Sequence, residues 1–210
     1  QLTFGFASFL SPMVYQYFLS QKKLAQTEAN WMSGIFAYLP ENLSWLSLYF
    51  LFVAICLGMM FVIYASKFPS VDLREEEKAG PLATHIELFK NKYVLLYFFA
   101  MLCYVGTEQG VANWISQFLV TYHRVDPQTV GADTVAYFWG LMTAGGILGL
   151  VLLKIMDSRW VLASFTLLAM ISLGFALWGP VGYALVAFPL VGFFASVIYP
   201  VIFSLALNSV

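Results

Sequence analysis

Residues 93 to 122 read YVLLYFFAMLCYVGTEQGVANWISQFLVTY. The run is long enough to cross a bilayer, which takes about 20 mostly apolar residues. In and near its middle stand Tyr104, Thr107, Glu108, Gln109, Asn113, Ser116 and Gln117. Hydrocarbon does not tolerate that many polar groups, so this helix is expected to face water, a substrate or other helices. Glu108 is the one acidic residue of the chain with long apolar sequence on both sides. The stretch therefore predicts one wall of a transport pathway.

Composition sets the class. Hydrophobic residues make up 61% of the 210 residues and charged residues 10%, against about 45–50% and about 25% in soluble domains. The mean hydropathy of +0.80 agrees, and an all-α integral membrane protein is expected. Aromatic residues, at 18%, suit lipid-facing surfaces and interfacial belts. The formal net charge of −1 comes without a basic patch, so nucleic acid is not expected as a partner. Cys56 and Cys103 both fall inside apolar runs and are expected as buried, reduced thiols. No CxxC or Cys/His spacing calls for a disulfide or a metal. The sequence opens on Gln1, runs at once into an apolar segment, and reads as a piece of a longer protein.

Working outward, six spans are expected by apolar length. They are Leu2–Ser20 with Pro12 at its middle, Trp45–Ser66, Tyr93–Tyr122, Thr134–Met156, Trp160–Trp178 and Gly182–Leu207. Pro12 favours a kink, because proline has no N–H to give. Trp31 and Trp45, in and after the polar stretch Gln21–Ser44, are expected as interface anchors. The fourth span holds Gly145 and Gly149 as a GxxxG, a pattern that lets helices approach closely and is expected to serve packing. The fifth span has no distinguishing feature, and the sixth carries Pro189, Pro200 and Tyr199. Lys67–Asn91 is the most charged segment, with LREEEK at Leu73–Lys78, and reads as a solvated linker.

Lysine and arginine orient the spans. Lys67, Arg74, Lys78, Lys90, Lys92, Lys154 and Arg159 fall on one side; Lys22, Lys23 and Arg124 fall on the other. The first group marks the cytoplasmic side, which places the 67–91 linker there.

On an ideal helix, turning about 100° per residue, Tyr104 stands about 40° to one side of Glu108. Gln109, Asn113 and Ser116 stand about 80–140° to the other. The opposite face is expected to pack through Val and Leu. Amides offer donors and an acceptor that match vicinal hydroxyls, which suits a sugar. Tyr104, Trp114, Trp139 and Tyr199 are candidates to stack on the apolar face of a pyranose. A carboxylate in such a place can hold a proton or a sodium ion; the bland alternative is a cap or a bridge to a basic residue outside these spans. Tyr199 and Trp139 have the alternative of plain packing, and His85 and His123 are expected to be solvated. No nucleophile–base pair, phosphate loop or metal cluster points to an enzyme or a cofactor.

At these residues a resemblance enters. YVGTEQGVANW (Tyr104–Trp114), YFWGLMTAGGILG (Tyr137–Gly149) and YPVIFSLAL (Tyr199–Leu207) resemble the seventh, eighth and tenth helices of the fucose–proton symporter family, within the major facilitator superfamily. The charged linker resembles the cytoplasmic loop between its two six-helix halves. The resemblance implies helices five to ten of twelve, with residues 1–66 closing the N-terminal bundle, 67–91 as linker and 92–210 opening the C-terminal bundle. It implies a monomeric, multi-pass protein of a bacterial inner membrane that moves a monosaccharide with a proton or sodium ion by alternating access.

From the residues themselves, Gln109, Asn113, Tyr104, Trp139 and Tyr199 are expected on the sugar and Glu108 on the coupling ion. Three departures stand out. Gly146 takes the place of the family's Arg, a gate residue whose part could fall to Lys154. Phe6-Ala7-Ser8-Phe9 stands where the family has a Gln-Ala-Phe-Asn pattern facing the sugar, and Val201 stands where Thr is usual. Two other function classes remain beside symport: a membrane sugar receptor that does not translocate, and a facilitator for a non-sugar solute.

Overall fold

The computed structural model describes residues 2–25, 34, 46–67 and 89–208. The described segments longer than one residue are built of helices and their connections. They are α1 (Leu2–Ala25), α2 (Ser47–Ala65), α3 (Lys92–His123), α4 (Ala132–Ile155), α5 (Ser158–Trp178), α6 (Val181–Ala195) and α7 (Ile198–Leu207). Nearly all of the linker, together with Trp31, Trp45 and His85, lies outside the described residues.

Each expected span appears as helix. Among the described residues, five segments are long and apolar enough to cross a membrane: Leu48–Ala65, Lys92–His123, Pro127–Ile155, Ser158–Trp178 and Val181–Leu207. The chain is a multi-pass membrane protein. α1 is 24 residues long and contains Pro12, but it is not among those five. Its Gln16, Gln21 and two lysines dilute the apolar run.

The chain divides into two compact units, residues 14–81 and residues 1–13 with 82–210. In the first, α2 is apolar along its length and none of Leu48–Ala65 is buried. A helix apolar all round with no buried face belongs among lipids or against further helices.

The second unit holds the core. Ile115, Leu119, Phe138, Ala176 and Ala184 are fully buried. Short polar side chains set its helix starts: Asn91 accepts from the Tyr93 N–H at 2.9 Å and Asp157 from the Arg159 N–H at 2.7 Å. Each satisfies a backbone donor that the first turn leaves without a partner. α3 ends on Arg124 in the left-handed region (φ 55°), its N–H returning to the Leu119 and Val120 carbonyls. Between α3 and α4 a single π-turn, Pro127–Gly131, runs on into α4. Asp126 starts it by accepting from the Gln128 N–H and the Thr129 hydroxyl.

α6 packs against both α4 and α5. Its contact with α4 is made backbone to backbone. A Cβ on Gly192 would collide with the Phe138 carbonyl oxygen, and one on Gly145 with the Phe193 carbonyl oxygen. Gly149 leaves room for Val197. The GxxxG pair thus packs as expected, and its partner is the end of α6.

The sixth span does not form one helix. α6 stops at Ala195 and α7 begins at Ile198. Pro200 has no N–H for the Ser196 carbonyl, and the Ser196 hydroxyl turns back to the Phe193 carbonyl at 2.7 Å. Gly145 and Gly149 face this break. Residues 2–13 of α1 lie on the other side of α4. There Phe9 fits over Gly140, Leu2 reaches Gly146, and Phe4 meets the Trp139 ring edge-on at 5.2 Å.

Candidate functional site

α3 has 32 residues, about 48 Å at 1.5 Å per residue, more than the roughly 30 Å of a bilayer core. Its buried side chains are Tyr104, Ala112, Ile115 and Leu119. On the helical projection all four fall within about 40° of Glu108. The packed face therefore coincides with the direction of Glu108 and does not lie opposite it, as the sequence reading had expected. Trp114, a candidate to stack on a sugar, is exposed. Small and branched side chains at 112, 115 and 119 let the helix sit close to its neighbours, and they carry the carboxylate inward with them.

Glu108 is half-buried, and donors meet both of its oxygens. The Tyr104 hydroxyl donates to Oε2 from one turn earlier. The Gln109 side-chain amide donates to Oε1 at 3.3 Å. Hydrogen bonds to a charged acceptor are the stronger kind, and here they fix the carboxylate's orientation. The Tyr104 ring in turn lies 6.2 Å from the Tyr199 ring of α7, and Tyr199 stacks on Phe203 at 6.2 Å with 7° between planes.

The carboxylate and its tyrosine line a cavity of about 340 Å³, open on one side, between α3, α4, α5, α6 and α7. The wall is mostly aliphatic: Val111, Leu162, Leu173, Val191, Ile198 and Ile202 among others. Its polar edge is Tyr104, Thr107 and Glu108 from α3 and Thr166 from α5. Thr107 donates to the Cys103 carbonyl at 2.8 Å. Thr166 went unnoticed in a span that reads as featureless, because one hydroxyl in an apolar helix commonly bonds its own backbone. Cys103 also opens on this cavity; it and Cys56 are free thiols, and both are exposed where burial was expected.

Of the residues singled out in sequence, Tyr104, Glu108, Gln109 and Tyr199 come together. Asn113 does not join them. It is exposed, about 140° round the helix from Glu108, on the same side as exposed Gln117, whose amide donates to Thr121 at 3.2 Å. Trp139 is buried between Phe4 and Phe138, edge-on to both at 5.2 Å, in the apolar core. Ser116 is half-buried and packs against Gly131. His123 is not solvated: its Nε2 is buried without a hydrogen-bond partner among the described residues, with the Phe118 ring 5.8 Å away.

A second cavity, about 290 Å³, lies between α4 and α7 and the start of α1. Gly146, Ser196, Tyr199 and Pro200 line it. The glycine at 146 leaves open a volume that a long side chain there would fill. Lys154 stands exposed in the last turn of α4. No group of three or more metal-ligating side chains occurs among the described residues.

Sequence comparison gives this geometry a context. The chain is similar to a glucose/galactose transporter of Brucella abortus, with 28% identity over 165 residues, covering 76% of this chain and 39% of the relative. It is similar to a Helicobacter pylori protein provisionally given the same name, with 29% identity over 147 residues, covering 69% and 34%. A second Helicobacter pylori strain has a protein of that provisional name at 30% over 145 residues. The chain thus spans between a third and two fifths of the length of these curated relatives. No protein-family model and no solved structure matches the chain.

Proposed function

We propose that this chain is the central part of a cation-coupled monosaccharide transporter of the major facilitator type, close to the fucose–proton symporter family. Glu108 is its coupling acid. The observation that carries the reading is a carboxylate within a membrane-crossing helix, held by Tyr104 and Gln109 beside a largely apolar cavity. A plain helix–helix bridge would set that carboxylate against a basic side chain, and none lines the cavity among the described residues. An intramembrane acid so placed belongs to an ion pathway. The relatives, named for glucose and galactose, support a hexose or deoxyhexose as substrate.

In this reading the helices α1 to α7 are helices five to ten of twelve, with α6 and α7 together making the tenth. Residues 1–66 end the N-terminal half, 67–91 are the cytoplasmic linker and 92–210 begin the C-terminal half. The packing of residues 2–13 on α4 is then the seam between halves, about which the two rock. Gln109 and Asn113 line the sugar path from the amide side of α3, while Tyr104 and Tyr199 stand at the coupling acid on its packed face, with Trp139 behind them in the core. The protein acts as a monomer in a bacterial inner membrane.

Uptake of labelled glucose, galactose and fucose by the full-length protein in proteoliposomes tests this. Accumulation driven by a proton or sodium gradient is expected. Sugar binding without counterflow would favour a non-translocating receptor, and no sugar binding at all would favour transport of another solute.

A further inference from the structure

We propose that Gln109 is the residue that carries the charge state of Glu108 to the sugar side of α3, by turning its amide end for end. The inference rests on the reading above, in which Glu108 takes the cation and the amide side of α3 takes the sugar.

The placement of the side chains sets this up. Glu108 lies on the packed face and Asn113 on the exposed one, about 140° apart. Gln109 stands between them, about 100° round from Glu108, half-buried, with its amide on the Glu108 carboxylate. Among the described residues it is the side chain that both hydrogen-bonds the carboxylate and borders the exposed amide side.

An ionised carboxylate only accepts hydrogen bonds. Gln109 must then give it the NH₂ group, as in this structure, and its carbonyl oxygen is left for the exposed side. A proton on Oε1 reverses the demand. The acid O–H now donates, so the amide satisfies it by presenting its carbonyl oxygen, and the NH₂ group is left outward. Oε1 is the oxygen for this proton, because Oε2 already accepts from the Tyr104 hydroxyl. A sodium ion on the carboxylate has the same effect, since it too draws oxygen ligands. Either cation thus converts the outward group of Gln109 from acceptor to donor, beside Asn113.

The surroundings favour a single switch. The titratable groups facing this carboxylate are Tyr104 and Cys103 on α3, with Tyr199 of α7 beyond the Tyr104 ring. α4, α5 and α6 contribute Phe138, Leu162, Thr166, Ala169, Met170, Leu173, Val191 and Ala195 to the cavity, none of them charged. Among the described residues no Asp, Lys, Arg or His lines it.

The test is equilibrium binding of labelled glucose and galactose to the purified full-length protein, from acid to alkaline pH, with and without sodium. The wild type is expected to bind sugar more tightly when the cation is bound, by roughly 5–150-fold, the usual span of coupling between sites. Gln109→Leu keeps the bulk and removes both hydrogen-bonding ends. It is expected to bring that ratio to within about twofold of one, where Asn113→Ala weakens binding equally in both states and keeps the ratio. Glu108→Gln is expected to abolish the ratio too, and Gln109→Leu added to it to change the ratio no further.

A Gln109→Leu protein that keeps the wild-type ratio overturns the proposal; should that variant not fold, Gln109→Met is read in the same way. A wild type that binds sugar with no cation dependence overturns the coupling reading and this inference together. A wild type that binds neither sugar overturns the sugar reading first.

Discussion

The Tyr104 hydroxyl donates to the Glu108 carboxylate from one turn earlier on α3, and the Tyr104 ring lies 6.2 Å from that of Tyr199 on α7. The carboxylate is thereby linked to the segment that follows the break at 196–197.

Tyr104→Phe tests that tie. It keeps the ring and deletes the donor, leaving one carboxylate oxygen without its partner in an apolar cavity. Loss of one partner of a buried pair costs about 1–3 kcal/mol. Gradient-driven uptake is expected to fall at least several-fold while the protein still folds. Unchanged uptake and unchanged cation dependence would detach Tyr104 from the coupling site.

Asn113→Ala separates sugar contact from structure. The side chain is exposed and makes no hydrogen bond within the described helices that stability would need. Thermal stability is expected to stay within about 0.5 kcal/mol, as for ordinary surface changes, while sugar uptake weakens several-fold. Unchanged uptake removes Asn113 from the site.

Gly192→Ala probes the α4–α6 contact. The new methyl would run into the Phe138 carbonyl, a backbone atom that cannot rotate away. Overpacking of this kind costs about 1–3 kcal/mol, read as a lower thermal midpoint in detergent. Gly182→Ala, at the open start of α6 with nothing within 4 Å, is the matched control and is expected to be neutral or slightly stabilising. Equal effects of the two would refute the close approach.

Much of this was legible in the sequence. Among the described residues apolar length located each helical span, though it ran α6 and α7 together, and the polar cluster at 104–117 singled out α3. The facing of α3 was not legible. Ala112, Ile115 and Leu119 look like any other apolar residues, and only their neighbours in space reveal that they share the stripe of Glu108. The break after Ala195 was hidden for a related reason. The run from 181 to 207 is apolar throughout, and Pro200 marks a missing donor without saying whether the helix bends or stops there. Asn113 and Gln109 read alike as amides on one polar arc, yet one touches the carboxylate and the other faces away. Side-chain identity gives the chemistry, and packing decides which groups meet.

The most direct measurement compares wild type and Glu108→Gln of the full-length protein in proteoliposomes, first for accumulation of labelled hexose under an imposed cation gradient and then for counterflow without one. Glutamine keeps the shape and a hydrogen-bonding end but can neither release a proton nor attract sodium as a charge. The account predicts that the variant loses accumulation and keeps counterflow. A variant that still accumulates sugar against its gradient would contradict it, and Glu108 would then be a structural side chain.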